Sequence, residues 1–433
     1  AFAEWYYGPQ ERRLFAYQFS AKEQLGFFQD IKANISYQDI AESRITRRFQ
    51  SNNKDYRWEN VDVFGLSLDL KHSSEKHELQ VGAESYTNFV RSTAERRNIV
   101  SGALSRITTR YADGPTTQAS QALYAQHTYK INSRWTLNEG LRLNAVQLNA
   151  VFVDTALTRF PFTRANQNNL ALTGNLGLVY VANETTRTAL VLSSGFRAPN
   201  VDDLSKVFDT RVGAVVVPNT NLKPEYTYNA EWNLNHYGKR FQYGGALFTT
   251  LFNNALVVDK FQFNGQDSIV FNGIKSGVFA VQNKARAFVW GFNAHAGWTI
   301  VPGTSLEGVV TYTHGRYTDQ NGAKIPLDHV PPVYGRVGIK HVAKIWNAEC
   351  YALFNGWKRI GDYNPNGEDN QQYATPDGMP AWTTFNIRAA ANLGKTLTLQ
   401  VLLDNLTDLN YRYFASGFSA PGRNVSLSLR WRW

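Results

Sequence analysis

The chain reads as all-β: a transmembrane antiparallel β-barrel with about seventeen strands present. Three observations carry that class. Apolar and polar residues alternate through most of the 433 residues. The connections between alternating stretches are short and long in turn. No segment approaches the ~18 consecutive apolar residues that a membrane-crossing helix needs.

The strands start near residues 11, 29, 57, 76, 119, 134, 170, 186, 225, 240, 280, 304, 333, 345, 382, 395 and 422. The last is the clearest. Val425, Leu427, Leu429, Trp431 and Trp433 share one face, and Asn424, Ser426, Ser428, Arg430 and Arg432 the other. Leu397, Leu399, Val401 and Leu403 oppose Thr398 and Gln400, and Phe385, Ile387, Ala389 and Ala391 oppose Asn386 and Arg388. Trp346, Ala348, Cys350, Ala352 and Phe354 oppose Glu349, Tyr351 and Asn355, and Tyr228, Ala230, Trp232 and Leu234 oppose Asn229, Glu231 and Asn233. Such alternation gives a strand one apolar and one polar face. In a barrel of this class the apolar face meets lipid and the polar face lines a lumen. Trp135, Trp298, Trp346, Trp382, Trp431 and Trp433 fall at strand ends, where aromatic girdles belong. Cys350 falls on the lipid face as a small hydrophobe. His127 and Glu139 are misfits, because strict alternation turns both toward lipid.

Short connections sit at residues 73–76, 132–133, 183–186, 238–239, 302–303, 343–345 and 394–395. Long ones cover 40–55, 92–118, 147–169, 198–224, 253–284, 314–331, 357–381 and 404–422. Loops this long are uncommon in compact soluble domains. Short turns on one rim and long loops on the other mark an outer-membrane barrel. The link at residues 8–11 breaks the pattern, being short on the long-loop rim. A sandwich has no room for so many long strands, a propeller would repeat every ~40 residues, and an open sheet of this size would leave exposed edges.

Composition agrees. The mass is 48.9 kDa, aromatics are 14% and charged residues 18%, which excludes disorder. One Cys permits no intramolecular disulfide. The opening Ala1-Phe2-Ala3-Glu4-Trp5 has no secretory pattern, so an export signal would have been removed or lie outside this sequence. Net charge is +10. Lys and Arg are spread thinly rather than gathered in a patch, which argues against nucleic acid and leaves anionic lipid or an acidic ligand.

The C-terminus, with its terminal Trp433 and alternation back to Val425, resembles the tails of outer-membrane proteins that barrel-assembly machinery recognises. Two further stretches resemble TonB-dependent receptors. One is Gly195-Phe196-Arg197-Ala198-Pro199-Asn200-Val201-Asp202-Asp203-Leu204, followed by Val217-Pro218-Asn219-Thr220-Asn221-Leu222-Lys223-Pro224-Glu225. The other is Leu403-Asp404-Asn405-Leu406-Thr407-Asp408-Leu409-Asn410-Tyr411-Arg412, followed by Ala420-Pro421-Gly422-Arg423-Asn424. Residues 218–225 and Gln266-Asp267-Ser268-Ile269 look most like Bacteroidetes receptors. The resemblance implies a 22-stranded barrel around an N-terminal plug. Residues 1–433 would then be its C-terminal part, the strand near Glu11 about the sixth of the barrel and residues 1–7 the end of the fifth. The plug, the energy-coupling box and the first strands would lie elsewhere.

Chemistry offers little else. Gly394-Lys395-Thr396 resembles the end of a P-loop, but Ala389 stands where its first Gly belongs and no helix follows. Haem receptors of this family place a His between two boxes matching residues 196–199 and 219–222, yet residues 200–218 contain none. His314 and His329 are the substitutes on offer for axial ligation. The oxygen-rich Asn364-Pro365-Asn366-Gly367-Glu368-Asp369-Asn370 matches no EF-hand, so no metal is assigned. No nucleophile or zinc motif is present, so no catalytic residue, cofactor or enzyme activity is expected.

The resemblance implies TonB-driven uptake of a scarce nutrient, an iron–siderophore complex first. The alternatives are a passive porin-like channel or a structural barrel subunit of a larger outer-membrane complex. Candidate ligand residues in the outer loops are Arg197, Asn200, Asp202, Asn219, Asn221 and Tyr363, with the rival reading that Pro199, Pro218 and Pro224 make these loops purely structural. Glu231, Glu349, Arg388, Arg430 and Arg432 should face the lumen and plug, with Glu349 and Arg388 close enough to pair. Val425, Leu427, Leu429, Trp431 and Trp433 form the assembly signal. Expected partners are lipid and lipopolysaccharide, the TonB complex through the absent N-terminal part, a small-molecule ligand, and a surface lipoprotein or other outer-membrane subunits.

Overall fold

A computed structural model describes residues 2–22, 26–158, 162–205, 208–211, 213–271, 273–318, 322–365, 367 and 369–433. Strands dominate it, and each wall strand pairs antiparallel with its sequence neighbour, building one continuous curved sheet. All seventeen expected strands form. The ladders are long, with single shifts of register such as those at Thr186/Arg187 and Thr299/Val301, and Asn53–Ser73 pairs residue for residue with His77–Asn98 over its whole length. Among the described residues, the first strand pairs only with Asp30–Arg48 and the last only with Leu397–Asp404, so both outer edges are open.

The link at residues 8–11 is not a connection between strands. Phe2–Tyr7 and Glu11–Ala21 both pair with Asp30–Arg48, Tyr7 opposite Arg44 and Glu11 opposite Ala41. They are one strand, broken where Pro9 has no N–H to give the ladder. Gly8 donates its N–H to the Ser43 carbonyl at 2.9 Å. A Cβ on Gly8 would fall 1.9 Å from Ser43 Oγ, so this close approach needs glycine. The parity exception therefore disappears. Of residues 1–7, Ala1 lies outside the described residues, and Phe2–Tyr7 do not end an earlier strand; they begin this one.

On the short-turn rim, Gly303 and Gly394 take φ of +83° and +81°, as tight hairpins demand. Gly394-Lys395-Thr396 sits in such a turn, between Trp382–Leu393 and Leu397–Asp404. The long-loop rim differs from expectation. Strands run on to Arg48, Asn98, Val151, Lys260 and Thr318 before turning, and the expected loop at 40–55 shrinks to residues 49–52. These extensions carry ion pairs instead of apolar alternation. Glu4 accepts from Arg47 and Lys54, each at 2.5 Å, and Asp55 accepts two bonds from Arg96 at 2.6 and 3.0 Å. Above the lipid nothing requires an apolar face, so the pairing continues after the sequence pattern has stopped.

The lipid face is as expected. Leu141 is 62% exposed, Leu170 68% and Leu427 72%, and Cys350 is exposed beside them. Trp135 stacks on Tyr180 at 4.4 Å and Trp298 on Phe241 at 5.8 Å. Trp382 is a correction. It is buried, ringed by Tyr411 and Tyr413, and donates its indole N–H to the Arg412 carbonyl at 3.0 Å, so it anchors an inward-folded loop rather than a girdle. His127 and Glu139 keep the strict phase. They sit directly opposite each other and pair at 2.9 Å, with His77 next in line at 3.0 Å, near the short-turn rim.

The hydrophobic core lies in the loops, not in the wall. Ala112, Phe152, Val201, Leu204, Val215, Val217, Leu222 and Phe263 come from four outer loops and pack on Val90, Leu148, Ala150, Ala165, Val278 and Ala280 of the wall. The short strand Ala214–Val216 adds to the sheet parallel to Ile274–Val301. The loops thus form one packed cap on the mouth.

Candidate ligand-binding site at the barrel mouth

The loop after Thr186–Arg197 is tied by one carboxylate. Asp203 accepts from Arg197 at 2.8 and 2.9 Å and from the Asn200 backbone N–H at 2.9 Å, while Asn200 Oδ1 accepts from the Asp203 N–H at 3.0 Å. This reciprocal arrangement caps the short helix Val201–Ser205. Farther along, Asn219 donates to the Val281 carbonyl at 2.8 Å and accepts from the Asn221 N–H at 3.1 Å. Asn283 clasps both backbone groups of Lys223, and Glu225 accepts from the Leu256 N–H at 2.7 Å. Arg197, Asn200 and Asn219 therefore use side-chain polar groups in shaping the loops, whereas Asn221 contributes its backbone N–H and is exposed. Tyr363 is buried edge-on against Phe414, 5.4 Å away, in another loop. Asp202 alone of the six reaches a charged cluster at the mouth.

That cluster is built where the loop of residues 99–115 dips onto the extended strands. Arg57 donates to the Thr108 carbonyl at 3.2 Å, and the Tyr111 N–H donates to Ser92 Oγ at 3.4 Å. Ser92 donates to Glu59 at 3.3 Å, and Arg110 to Glu42 at 3.3 Å. Tyr111 donates its hydroxyl to Asp202 at 3.0 Å, and Arg110 lies 3.7 Å from the same carboxylate. Burial and the Asp202 charge hold the Tyr111 phenol above its ordinary range, so it stays a donor. Three buried polar atoms, Arg44 Nε, Arg110 Nε and Glu59 Oε2, have no hydrogen-bond partner among the described residues. A buried polar atom without a hydrogen-bond partner is costly. The site keeps both donor and acceptor capacity, and a polar ligand can take it up. The sequence reading missed Glu42, Arg44, Glu59, Arg110 and Tyr111. Their signal was a dense run of charges where apolar alternation ends.

In the lumen, Glu349 is 3% exposed and accepts from Arg388 at 2.5 Å, as expected, and also from Arg336, which was not foreseen. Arg336 lies over the Tyr351 ring, 4.2 Å from its centroid. Gly338 leaves the room, since a Cβ there would meet Tyr351 Cβ at 2.9 Å and Glu349 Oε1 at 3.0 Å. Glu231 accepts from Asn233 at 2.8 Å. Arg430 stands opposite Thr398 on the last strand, facing the lumen by alternation as Arg432 does.

Of the oxygen-rich loop, Asn366 and Glu368 lie outside the described residues. Asp369 turns to His329, accepting its backbone N–H at 2.8 Å with the ring at 3.3 Å. His314 leans on Trp290 instead, 6.0 Å away. Lys358 is buried in the same group of loops, and burial pushes its ammonium below the ordinary lysine value of 10.5. The protonated form is therefore penalised in the folded state at neutral pH. As pH rises toward 10.5, the folded chain releases this proton before the unfolded chain does and gains relative stability. Lys358→Met is expected to resist unfolding better than wild type at pH 7, with the difference closing by about pH 10.5. Protease nicking of residues 356–381 against temperature measures it, and a difference that ignores pH refutes the assignment.

Comparisons with known proteins now bear on this geometry. A family model described as TonB dependent receptor-like, beta-barrel matches residues 2–406. The hemoglobin-haptoglobin utilization protein B of Neisseria meningitidis serogroup A is 24% identical over 302 residues, covering 65% of this chain and 37% of that protein. The copper transporter OprC superposes with a TM-score of 0.80 at 14% identity, over 97% of this chain and 65% of that one. The ferric yersiniabactin uptake receptor FyuA from Yersinia pestis superposes with a TM-score of 0.65 at 15% identity, over 98% and 61%. The chain thus spans little more than a third of the first relative and less than two thirds of either solved structure. Three similar proteins are named for three different cargoes, so likeness of fold does not select among them.

Proposed function

The chain belongs to the TonB-dependent receptor β-barrel family of Gram-negative outer membranes, whose members are receptors and transporters rather than enzymes, and on that premise we propose that it captures a scarce iron-bearing nutrient for TonB-driven import. An iron–siderophore complex is the cargo of first choice. The reading includes a plug and about five further strands supplied outside these residues; the two open sheet edges support it. In the working receptor, ligand held at the mouth would pass through the lumen when TonB pulls on the plug.

The observation that carries the reading is the capped mouth. Four loops share one hydrophobic core around a charged cluster with unused hydrogen-bonding capacity. That suits selective capture better than passive flow, which needs an open path. Arg110, Tyr111 and Asp202 make the ligand contacts in this proposal, while Arg197, Asn200, Asn219, Asn221 and Tyr363 hold the loops that present them. A haem-protein cargo is the second reading, favoured by the Neisseria relative.

Radioactive iron uptake by cells expressing the full-length receptor tests this, with ferric siderophores and haemoglobin offered separately. Arg110→Gln should lower uptake of the true cargo at limiting concentration about tenfold, the worth of one lost charged contact. Uptake that persists without TonB would leave the porin-like reading standing instead.

A further inference from the structure

The barrel wall has a notch on its loop rim. The Thr304–Thr318 strand outruns its neighbour, which begins at Tyr334 opposite Thr311. Beyond that point, among the described residues, 312–315 have no strand partner on this side, residues 316–318 pair with the short strand Lys324–Pro326, and loops around residues 327–333 and 357–362 close over the gap. They leave a cavity of about 300 Å³.

Two cations line it. Lys358 is 6% exposed, and among the described residues its ammonium makes one hydrogen bond, to the Val330 carbonyl at 2.6 Å. Among the described residues the other two N–H groups of this ammonium have no hydrogen-bond partner. Arg316 donates to one carboxylate, Asp362, at 2.9 Å and to the Lys324 carbonyl at 3.3 Å. Asp369, whose charge also bears on the Lys358 ammonium, accepts from His329 with Oδ1, while its buried Oδ2 has no hydrogen-bond partner among the described residues. His314 adds an imidazole to the wall of the cavity, and Trp357 an apolar flank. Pro331 also lines a second cavity, of about 290 Å³, walled by Phe354, Trp382, Tyr413 and Phe414. The Lys358 ammonium lies 4.7 Å from the centre of the Phe414 ring, which places cationic and aromatic cavities back to back.

We propose that this notch binds a phosphate monoester carried on an apolar or sugar skeleton. A buried ammonium, a guanidinium and an imidazole offer more donors than the carboxylates of Asp362 and Asp369 can use, and they match a dianion with three terminal oxygens. The adjoining aromatic cavity takes the carbon skeleton. The phosphate comes either from a phosphorylated lipid headgroup in the outer leaflet or from a soluble sugar phosphate. The site lies apart from the charged mouth cluster and does not depend on which nutrient is imported.

The test uses the full-length receptor in detergent, with folding checked by heat-modifiable migration. Glucose 1-phosphate is titrated calorimetrically against glucose. In parallel, native mass spectrometry counts bound lipid A before and after enzymatic removal of its phosphates. Binding of glucose 1-phosphate at least tenfold tighter than glucose, weakened at least tenfold by Lys358→Met and by Arg316→Gln, assigns a soluble ligand. Retention of phosphorylated lipid A alone, with the same dependence on both variants, assigns the headgroup. Arg316→Gln changes a residue whose side chain is 29% exposed and keeps the test valid if Lys358→Met misfolds. Lys344→Gln, in a turn on the opposite rim, should change nothing. Binding that ignores phosphate, or survives both variants in folded protein, overturns the proposal.

Discussion

Glu349→Ala is expected to destabilise the assembled barrel by about 2 kcal/mol, a large loss from a single lumen side chain. The carboxylate receives guanidinium bonds from both Arg336 and Arg388. Removing it leaves two positive groups beside one Tyr351 ring. Breaking a buried ion pair from one side costs about 3–5 kcal/mol. The expected loss falls below that range because the Arg388 side chain is 58% exposed and turns to water. Arg336 is the more confined, at 25%. Glu349→Gln keeps an acceptor and should lose about half as much. Urea unfolding in detergent micelles, followed by heat-modifiable migration, reads both. A loss below about 0.5 kcal/mol for the alanine variant would reduce the cluster to ordinary wall polarity. The double variant Arg336→Leu with Glu349→Leu separates the pair from its surroundings, because it removes the uncompensated charge together with its partner.

What the sequence made legible follows from where lipid imposes a pattern. Strands crossing hydrocarbon must show an apolar face, and Leu141, Leu170 and Leu427 announced theirs. The same strands above the membrane are held by backbone ladders and ion pairs such as Asp55–Arg96, and their residues look like loop. Hence strand starts and neighbours could be read, while outer ends could not. Pro9 was misread as a connection because a proline break and a turn look alike in one sequence; the shared partner Asp30–Arg48 tells them apart. Trp382 was placed with the girdle because its strand-end position fits, and only the fold of residues 405–423 reveals the cover above it. The Glu349–Arg388 pair was readable from adjacent strands in register. Arg336 was not, because it reaches Glu349 diagonally across the space at Gly338. The mouth cluster was the least legible. Arg110 and Asp202 are brought together by loops whose packing is set by contacts far apart in the chain.

The final strand supplies the sharpest contrast between faces. Leu427→Lys is expected to cost about 2–4 kcal/mol and to cut the amount of assembled barrel severely, whereas Ser428→Lys, one residue on, should be nearly neutral. Asn424–Trp431 pairs with Leu397–Asp404, Leu427 opposite Val401 and Ser428 opposite Gln400. Val425, Leu427, Leu429 and Trp431 are each at least 64% exposed, and Trp433 stands fully clear at the end. On the lipid side this apolar row must displace no water and bury no charge. On the lumen side a lysine in place of Ser428 keeps its hydration. If the row is also the signal that assembly machinery reads, deleting Trp433 should lower the heat-modifiable fraction in outer membranes about tenfold while leaving refolding in detergent unchanged, since the last ladder bonds precede it. Equal losses in cells and in detergent would assign Trp433 to stability alone, and equal effects of lysine at 427 and 428 would contradict the face assignment for the entire strand.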